Sequence, residues 1–309
     1  MTRIAIALTL IGAIASSRAP IVATAGAAEQ RAFATAEDAV RGLIAAVQGG
    51  SVSDVVALFG ANGQDLVDSS DPATGRRNRE VFIAAVAEGW RLVDQKTNQK
   101  VLIVGNEGWP FPVPLVSDAS GWRFDTAAGK DEVLARRIGR NELAVITTCQ
   151  TYVAAQRRYA QQGRDGKPAG LYAKSFRSDP GQHNGLYWPV MHGQPHSPLG
   201  ELVAGAEQQG SSLATAREQP APFHGYYFKI LTAQGAAATG GKKDYIVNGE
   251  LSGGFALVAW PAEHDATGIM TFLVNHDGIV RQKDLGEQTA AAARAMILYN
   301  PDASWTKVP

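Results

Sequence analysis

The residues with the most chemical reach in this 309-residue chain are its six histidines, all between His183 and His276. Three of them, His183, His192 and His196, follow Asp179 within a short stretch. An imidazole beside a carboxylate can move a proton near neutral pH, so these four residues are the candidate catalytic set, for a hydrolase. The i, i+4 spacing of His192 and His196 would put both rings on one face of a helix. Pro195 and Pro198 rule out a regular helix there, so the spacing does not define a metal pair. Exposed loop histidines are the plainer reading, and neither a metal nor a cofactor is expected. The single cysteine, Cys149, lies on an apolar helical stripe and is expected to pack in a core rather than act as a nucleophile. No G-x-S-x-G or H-E-x-x-H pattern occurs. Gly235 to Lys242 is a near miss for a phosphate loop. It falls between two strand-like runs, where the motif needs a strand before it and a helix after it, so it reads as a hairpin loop.

Aromatic clusters offer binding chemistry instead. Tyr187 and Trp188 stand in Gly185-Leu186-Tyr187-Trp188-Pro189, and His224 and Tyr226 in His224-Gly225-Tyr226-Tyr227-Phe228. Such side chains either form a ligand platform or staple a long loop onto a sheet. Trp109 and Phe111 begin a proline-broken edge run that could receive a partner strand. Together with His276 these are the candidate binding-surface residues.

The bulk composition narrows the setting. Lys+Arg and Asp+Glu number 29 each, so no net field would attract nucleic acid. The length suggests two domains. Arg3 precedes an apolar run from Ile4 to Ala15, and Ala25-Gly26-Ala27 follows as a small-residue cleavage site. This is the layout of a secretory signal peptide over residues 1–27, with Ala15-Ser16-Ser17 as a second cut and a retained anchor helix as the alternative. The run is shorter than the roughly 20 residues a bilayer span needs. A periplasmic protein with no membrane span in its mature form is expected.

Apolar spacing predicts helices over 37–47, 52–59 and 78–90, the first capped by Thr35, followed by strands over 100–104, 111–117 and 121–125. The longest helical pattern runs from Asp131 to Gln162, with Gly139 as a candidate break. Loop signals fill 163–222. Strands are then expected over 226–232, 244–247, 254–261, 268–275 and 279–284, with a turn at Asp277-Gly278 and a closing helix over 289–298. The fold class is therefore α+β: a small domain over 33–130 with helices and an antiparallel meander, then a domain over 131–309 with one long helix and an antiparallel sheet.

Several strings are shared with one family. Trp109-Pro110-Phe111-Pro112, Gly121-Trp122-Arg123-Phe124-Asp125, Arg136-Arg137-Ile138-Gly139-Arg140-Asn141, Gly185-Leu186-Tyr187-Trp188-Pro189, Ser197-Pro198-Leu199-Gly200 and Val274-Asn275-His276 resemble an exported bacterial family, domain of unknown function 2950. The resemblance runs from about Phe33 to Trp305 and implies architecture without an activity. Members often carry an Asp-rich turn after the long helix that would suggest calcium. Here Gln161 to Lys167 holds one carboxylate, Asp165, so the stretch reads as a plain turn and the resemblance does not bring a metal with it. The element order of the first domain looks like a cone of the nuclear-transport-factor-2-like type. Asn141-Glu142-Leu143-Ala144, Thr267 to Phe272 and Asp277-Gly278-Ile279-Val280 resemble the globular heads of type IV pilin-like proteins. These features imply a non-catalytic interaction or scaffold protein of the cell envelope whose partner is another envelope protein or a peptide. The alternatives are a hydrolase at the histidine loop and a small-ligand binder using a cavity in the first domain. Export carries a direct test: Edman sequencing of chain recovered from the periplasm should begin at Ala28, and recovery of an intact Met1 would contradict the cleavage.

Overall fold

The structure, a computed structural model, describes residues 30–67, 72–189, 196–200, 202–203 and 222–308. The proposed signal segment and His192 lie outside the described residues. The chain divides into two compact units between Arg137 and Ile138. Each has its own apolar core and each combines helices with antiparallel sheet.

In the first unit, α1 (Ala36–Gly49) starts where the Thr35 hydroxyl accepts the Asp38 N–H at 3.1 Å. It stops at Gly50, whose φ of +71° is left-handed and suits glycine. Next come α2 (Val52–Phe59), a 3-10 turn (Ala61–Gly63), the short α3 (Gln64–Val67) and α4 (Pro72–Glu88). Five strands follow: β1 (Trp90–Lys96), β2 (Gln99–Val104), β3 (Trp109–Pro110), β4 (Leu115–Asp118) and β5 (Gly121–Phe124). They pair antiparallel in the order β1-β2-β4-β5, with β3 on β2. The helical pattern expected to reach Trp90 ends two residues earlier. Gly89, at φ +142°, turns the chain there, and Trp90 opens a strand that pattern reading had missed. Phe59, Phe82, Phe111 and Phe124 are all fully buried. Their rings meet edge-on or tilted, with 5.3 Å between the centroids of Phe59 and Phe124 and 5.7 Å between those of Phe82 and Phe111.

Helix α5 (Thr126–Ala160) begins in the first unit and runs through Gly139 without interruption, and its residues from Ile138 onward organise the second unit. The expected break fails because a lone glycine costs a helix only about 1 kcal/mol, less than its neighbours' helical bonds and packing return. The remaining elements are β6 (Tyr226–Leu231), β7 (Ala233–Gln234), β8 (Lys243–Asp244), β9 (Ile246–Val247), β10 (Glu250–Leu251), β11 (Ala256–Pro261), β12 (Met270–Asn275), β13 (Arg281–Asp284), α6 (Thr289–Ala295) and β14 (Thr306–Lys307). The main sheet has the antiparallel order β14-β13-β12-β11-β6, and β11 is buried along its whole length. The expected tight turn at Asp277-Gly278 lies inside a longer link, since the last β12–β13 rung is Leu273 with Arg281. Gly278 there is left-handed, and its N–H donates to the Asn275 carbonyl at 2.9 Å.

Polar side chains fasten α5 to these strands. One Glu142 oxygen accepts the Ile269 and Met270 N–H groups, each at 2.9 Å, and Asn141 Nδ2 donates to the Thr267 carbonyl at 2.8 Å. The near-miss phosphate loop is a hairpin between β7 and β8. It closes around the Gln234 amide, which donates to the Thr239 and Gly241 carbonyls and accepts from the Tyr245 hydroxyl at 2.7 Å. Deeper still, the fully buried Gln156 treats Ala173 as a strand neighbour would. Its Oε1 accepts the Ala173 N–H at 2.8 Å, and its Nε2 donates to the Ala173 carbonyl at 2.8 Å and to the Tyr152 hydroxyl at 3.1 Å. Gln156→Leu would fill the same space while leaving both peptide groups of Ala173 unpaired. It should cost about 3 kcal/mol in urea unfolding, whereas Gln150→Leu on the exposed side of the same helix should change stability by less than about 0.5 kcal/mol.

Candidate functional site

The second unit carries a cleft of about 600 Å³ built on the chain that leaves the C-terminal end of α5. Arg164, Asp165, Gly166 and Lys167 reverse direction in a two-residue turn. Arg164 and Lys167 exchange backbone bonds at 3.1 and 2.8 Å, and both Asp165 (φ +50°) and Gly166 (φ +77°) are left-handed. Aspartate and glycine are the pair such a turn favours. The chain then returns to the helix end through Gly170 N–H on the Ala160 carbonyl (2.8 Å). It is pinned next by Tyr172 N–H on Leu251 (2.7 Å) and by the Gln156 clamp on Ala173. Further on, the 177 and 187 segments lie parallel, with Ser178 N–H on the Tyr187 carbonyl and Tyr187 N–H on the Phe176 carbonyl, both at 2.8 Å. Gly185 is required at this crossing, because a Cβ there would sit 2.4 Å from the Arg177 carbonyl carbon.

Six charged side chains line the cleft: Arg164, Lys167 and Lys174 against Asp165, Asp179 and Glu250. Glu250 bridges two ammonium groups, with Lys167 at 2.7 Å and Lys174 at 3.7 Å, and Lys174 also donates to the Gly249 carbonyl at 3.0 Å. The Lys167 bond holds the Glu250 carboxyl below its usual range and raises the Lys167 ammonium. Both groups are solvent-accessible, so water and salt weaken the pair. Arg164 lies 4.6 Å over the Tyr159 ring and 5.7 Å over the Trp188 ring, and donates through Nη1 to the carbonyls of Tyr159 and Gln162. Partial burial lowers its pKa, though a guanidinium stays charged at neutral pH.

Of the predicted catalytic residues, Asp179, His183 and His196 lie among the described residues and His192 does not. Asp179 is exposed and engages Asn184, donating its N–H to Oδ1 at 2.9 Å and accepting from Nδ2 at 2.8 Å. His183 pairs with Asp165 instead of Asp179: its N–H donates to Asp165 Oδ2 at 2.7 Å, while ring Nδ1 stays 3.6 Å from Oδ1. The His183 ring meets Trp188 edge-on at 4.7 Å, and its carbonyl accepts the Tyr159 hydroxyl at 2.9 Å. His196 is exposed. Among the described residues no group of three His, Cys, Asp or Glu side chains could hold a metal ion.

The predicted binding residues separate just as clearly. Tyr226 is fully buried and donates to the Met270 carbonyl at 3.0 Å; Phe111 is 1% exposed and Trp188 3%. Tyr187 is half-buried and packs against the core. Trp109 is half-buried, with the Arg136 guanidinium 5.4 Å over its ring. His224, left-handed at φ +49°, stacks 4.1 Å from Phe223, and burial lowers its pKa. The His276 ring stands edge-on to Tyr245 and Phe255, with Nδ1 buried and without a hydrogen-bond partner. The residues that line the cleft most densely, Arg164, Lys167, Lys174 and Glu250, were not singled out as candidates. The Asp-Gly turn signal was visible, but Glu250 is 83 residues from Lys167 and no local pattern links them.

Buried hydroxyl and thiol groups set the alkaline limit of the second unit. Burial raises Tyr152 and Tyr226, and pushes Tyr245 and the Cys149 thiol up to about 12. A raised folded-state pKa means that this stability is intact below the ordinary tyrosine value of about 10 and is lost progressively as pH climbs from there toward the raised values. Urea midpoints should fall steadily between about pH 9.5 and 11.5, and the last tyrosines should ionise at 295 nm only as circular dichroism is lost. Full ionisation of all eight tyrosines in a folded chain would contradict this burial.

Comparison with known proteins adds one match. The sequence model of a family described as "Protein of unknown function (DUF2950)" matches residues 30–308. No curated protein and no solved structure matches. Among the described residues no helix is long and apolar enough to cross a membrane.

Proposed function

The chain belongs to the DUF2950 family, whose description assigns no activity, and we propose that it is an exported, non-catalytic binding protein of the cell envelope that holds a peptide segment of a partner in the cleft of its second unit. The observation that carries this reading is how the cleft uses its charges. Asp179 accepts from Asn184, Asp165 from the His183 backbone and Glu250 from two lysines, so these carboxylates brace the loops of the cleft. The cleft's serine, Ser175, donates to the Arg177 carbonyl at 2.9 Å and not to a base. A volume of about 600 Å³ with convergent polar groups suits a short extended ligand. The braced loops mean that little ordering is needed on binding. The first unit gives less support to a cavity for a small ligand, because four phenylalanine rings occupy its interior. Export follows from the N-terminal charge, apolar run and small-residue site of the sequence.

A photoreactive benzoyl-phenylalanine placed in living cells at Ser175 or Gln182 should give one discrete adduct that mass spectrometry assigns to an exported protein or peptide. The same probe at Thr97 in the first unit should give none. Free chain alone at both cleft positions would remove the binding reading.

A further inference from the structure

Arg164 stands apart from the other cleft cations. Lys167 and Lys174 share Glu250, whereas among the described residues no carboxylate lies within 4 Å of the Arg164 guanidinium. Its hydrogen bonds to described residues all leave from Nη1, toward the Tyr159 and Gln162 carbonyls. Nε and Nη2 make no hydrogen bond to a described residue and are not among the buried unpaired atoms, and Arg164 lines the cleft. The Tyr159 and Trp188 rings hold the plane, and Tyr159 is itself fixed by its hydroxyl on His183. The side-on Nε/Nη2 edge presents two parallel N–H groups at the spacing of two carboxylate oxygens. A fixed, partly desolvated cation with that edge free is a preorganised carboxylate receptor. Asn184 and Gln182 add amide groups for a peptide backbone, and Leu171 adds apolar surface.

We infer that Arg164 anchors the C-terminal carboxylate of a short peptide through its Nε/Nη2 edge. The inference rests on the peptide-binding reading of the cleft and names the chemical end that the cleft grips. An amidated or internal segment loses two charge-assisted hydrogen bonds, and a lysine at the position keeps the charge without the fork.

The test is an NMR titration of the full chain with trialanine, its C-terminal amide and inorganic phosphate. Trialanine should shift the Arg164 Nε–H resonance together with cleft backbone signals, and the amide should bind at least about tenfold more weakly. Arg164→Gln should lose tenfold or more for the acid and nothing for the amide. Arg164→Lys, which keeps a cation against the same rings, should fall between them and guards against a folding defect. Equal binding of acid and amide at cleft signals would overturn the anchor while leaving peptide binding standing. Phosphate binding at Arg164 more tightly than trialanine would overturn the carboxylate assignment. No shift at any cleft signal with either peptide would overturn the anchor and the binding reading together.

Discussion

A loop that crosses a helix in the interior must find partners for its peptide groups, because an unpaired buried N–H or C=O costs as much as a lost hydrogen bond. The second unit meets this constraint with one side chain. Gln156 supplies an acceptor and a donor to Ala173 and ties both to Tyr152, whose hydroxyl donates to the Ala256 carbonyl at 3.3 Å. Helix, loop and sheet are thus joined through a single buried amide. The walls of the cleft begin immediately on either side of the pinned residue, at Tyr172 and Lys174, so the shape of the site depends on that joint. Glu142 and Gln234 repeat the device at the start of β12 and inside a hairpin. In each case a polar side chain does what a neighbouring strand would otherwise do.

The two units fill their interiors differently. The first relies on apolar contact, with phenylalanines from α2, α4, β5 and the segment after β3 meeting at ring distances of about 5–6 Å. The second adds buried hydroxyls and amides to its apolar core, among them Tyr152, Gln156, Gln234 and Thr271. Polar cores of that kind are directional, since a donor and acceptor must align as well as touch. This fits the placement of the cleft on the second unit, where loops far from regular secondary structure need fixed positions.

Much of the fold was legible from local signals. Helix α2 follows from Ser51 before it and Gly60 after it, and α1 from Thr35 and Gly50, because capping acts within a few residues. Strand β1 was hidden because the helical spacing of α4 runs up to Trp90 and only Gly89 marks the change. The aromatic clusters stood out by type and spacing, yet their outward or inward sense was not readable: a loop tryptophan that binds and one that staples look alike in sequence, and Trp188 is 3% exposed. The charged cleft was the least legible, since its pairs join residues 83 positions apart. Asp165 illustrates the limit. Its turn was evident, while its partner, the His183 backbone 18 residues on, was not.

The docking of α5 by Glu142 onto Ile269 and Met270 spans 127 and 128 residues. Ribosomes deliver a chain from its N-terminus. The buried stripe of α5, with Val145, Cys149, Tyr152 and Val153, therefore emerges more than a hundred residues before the strands that cover it. Closing so long a loop is slow, and until it closes the stripe is a sticky surface. The second unit therefore cannot fold in the order in which it is made: α5 has no sheet to pack on until β12 has been synthesised.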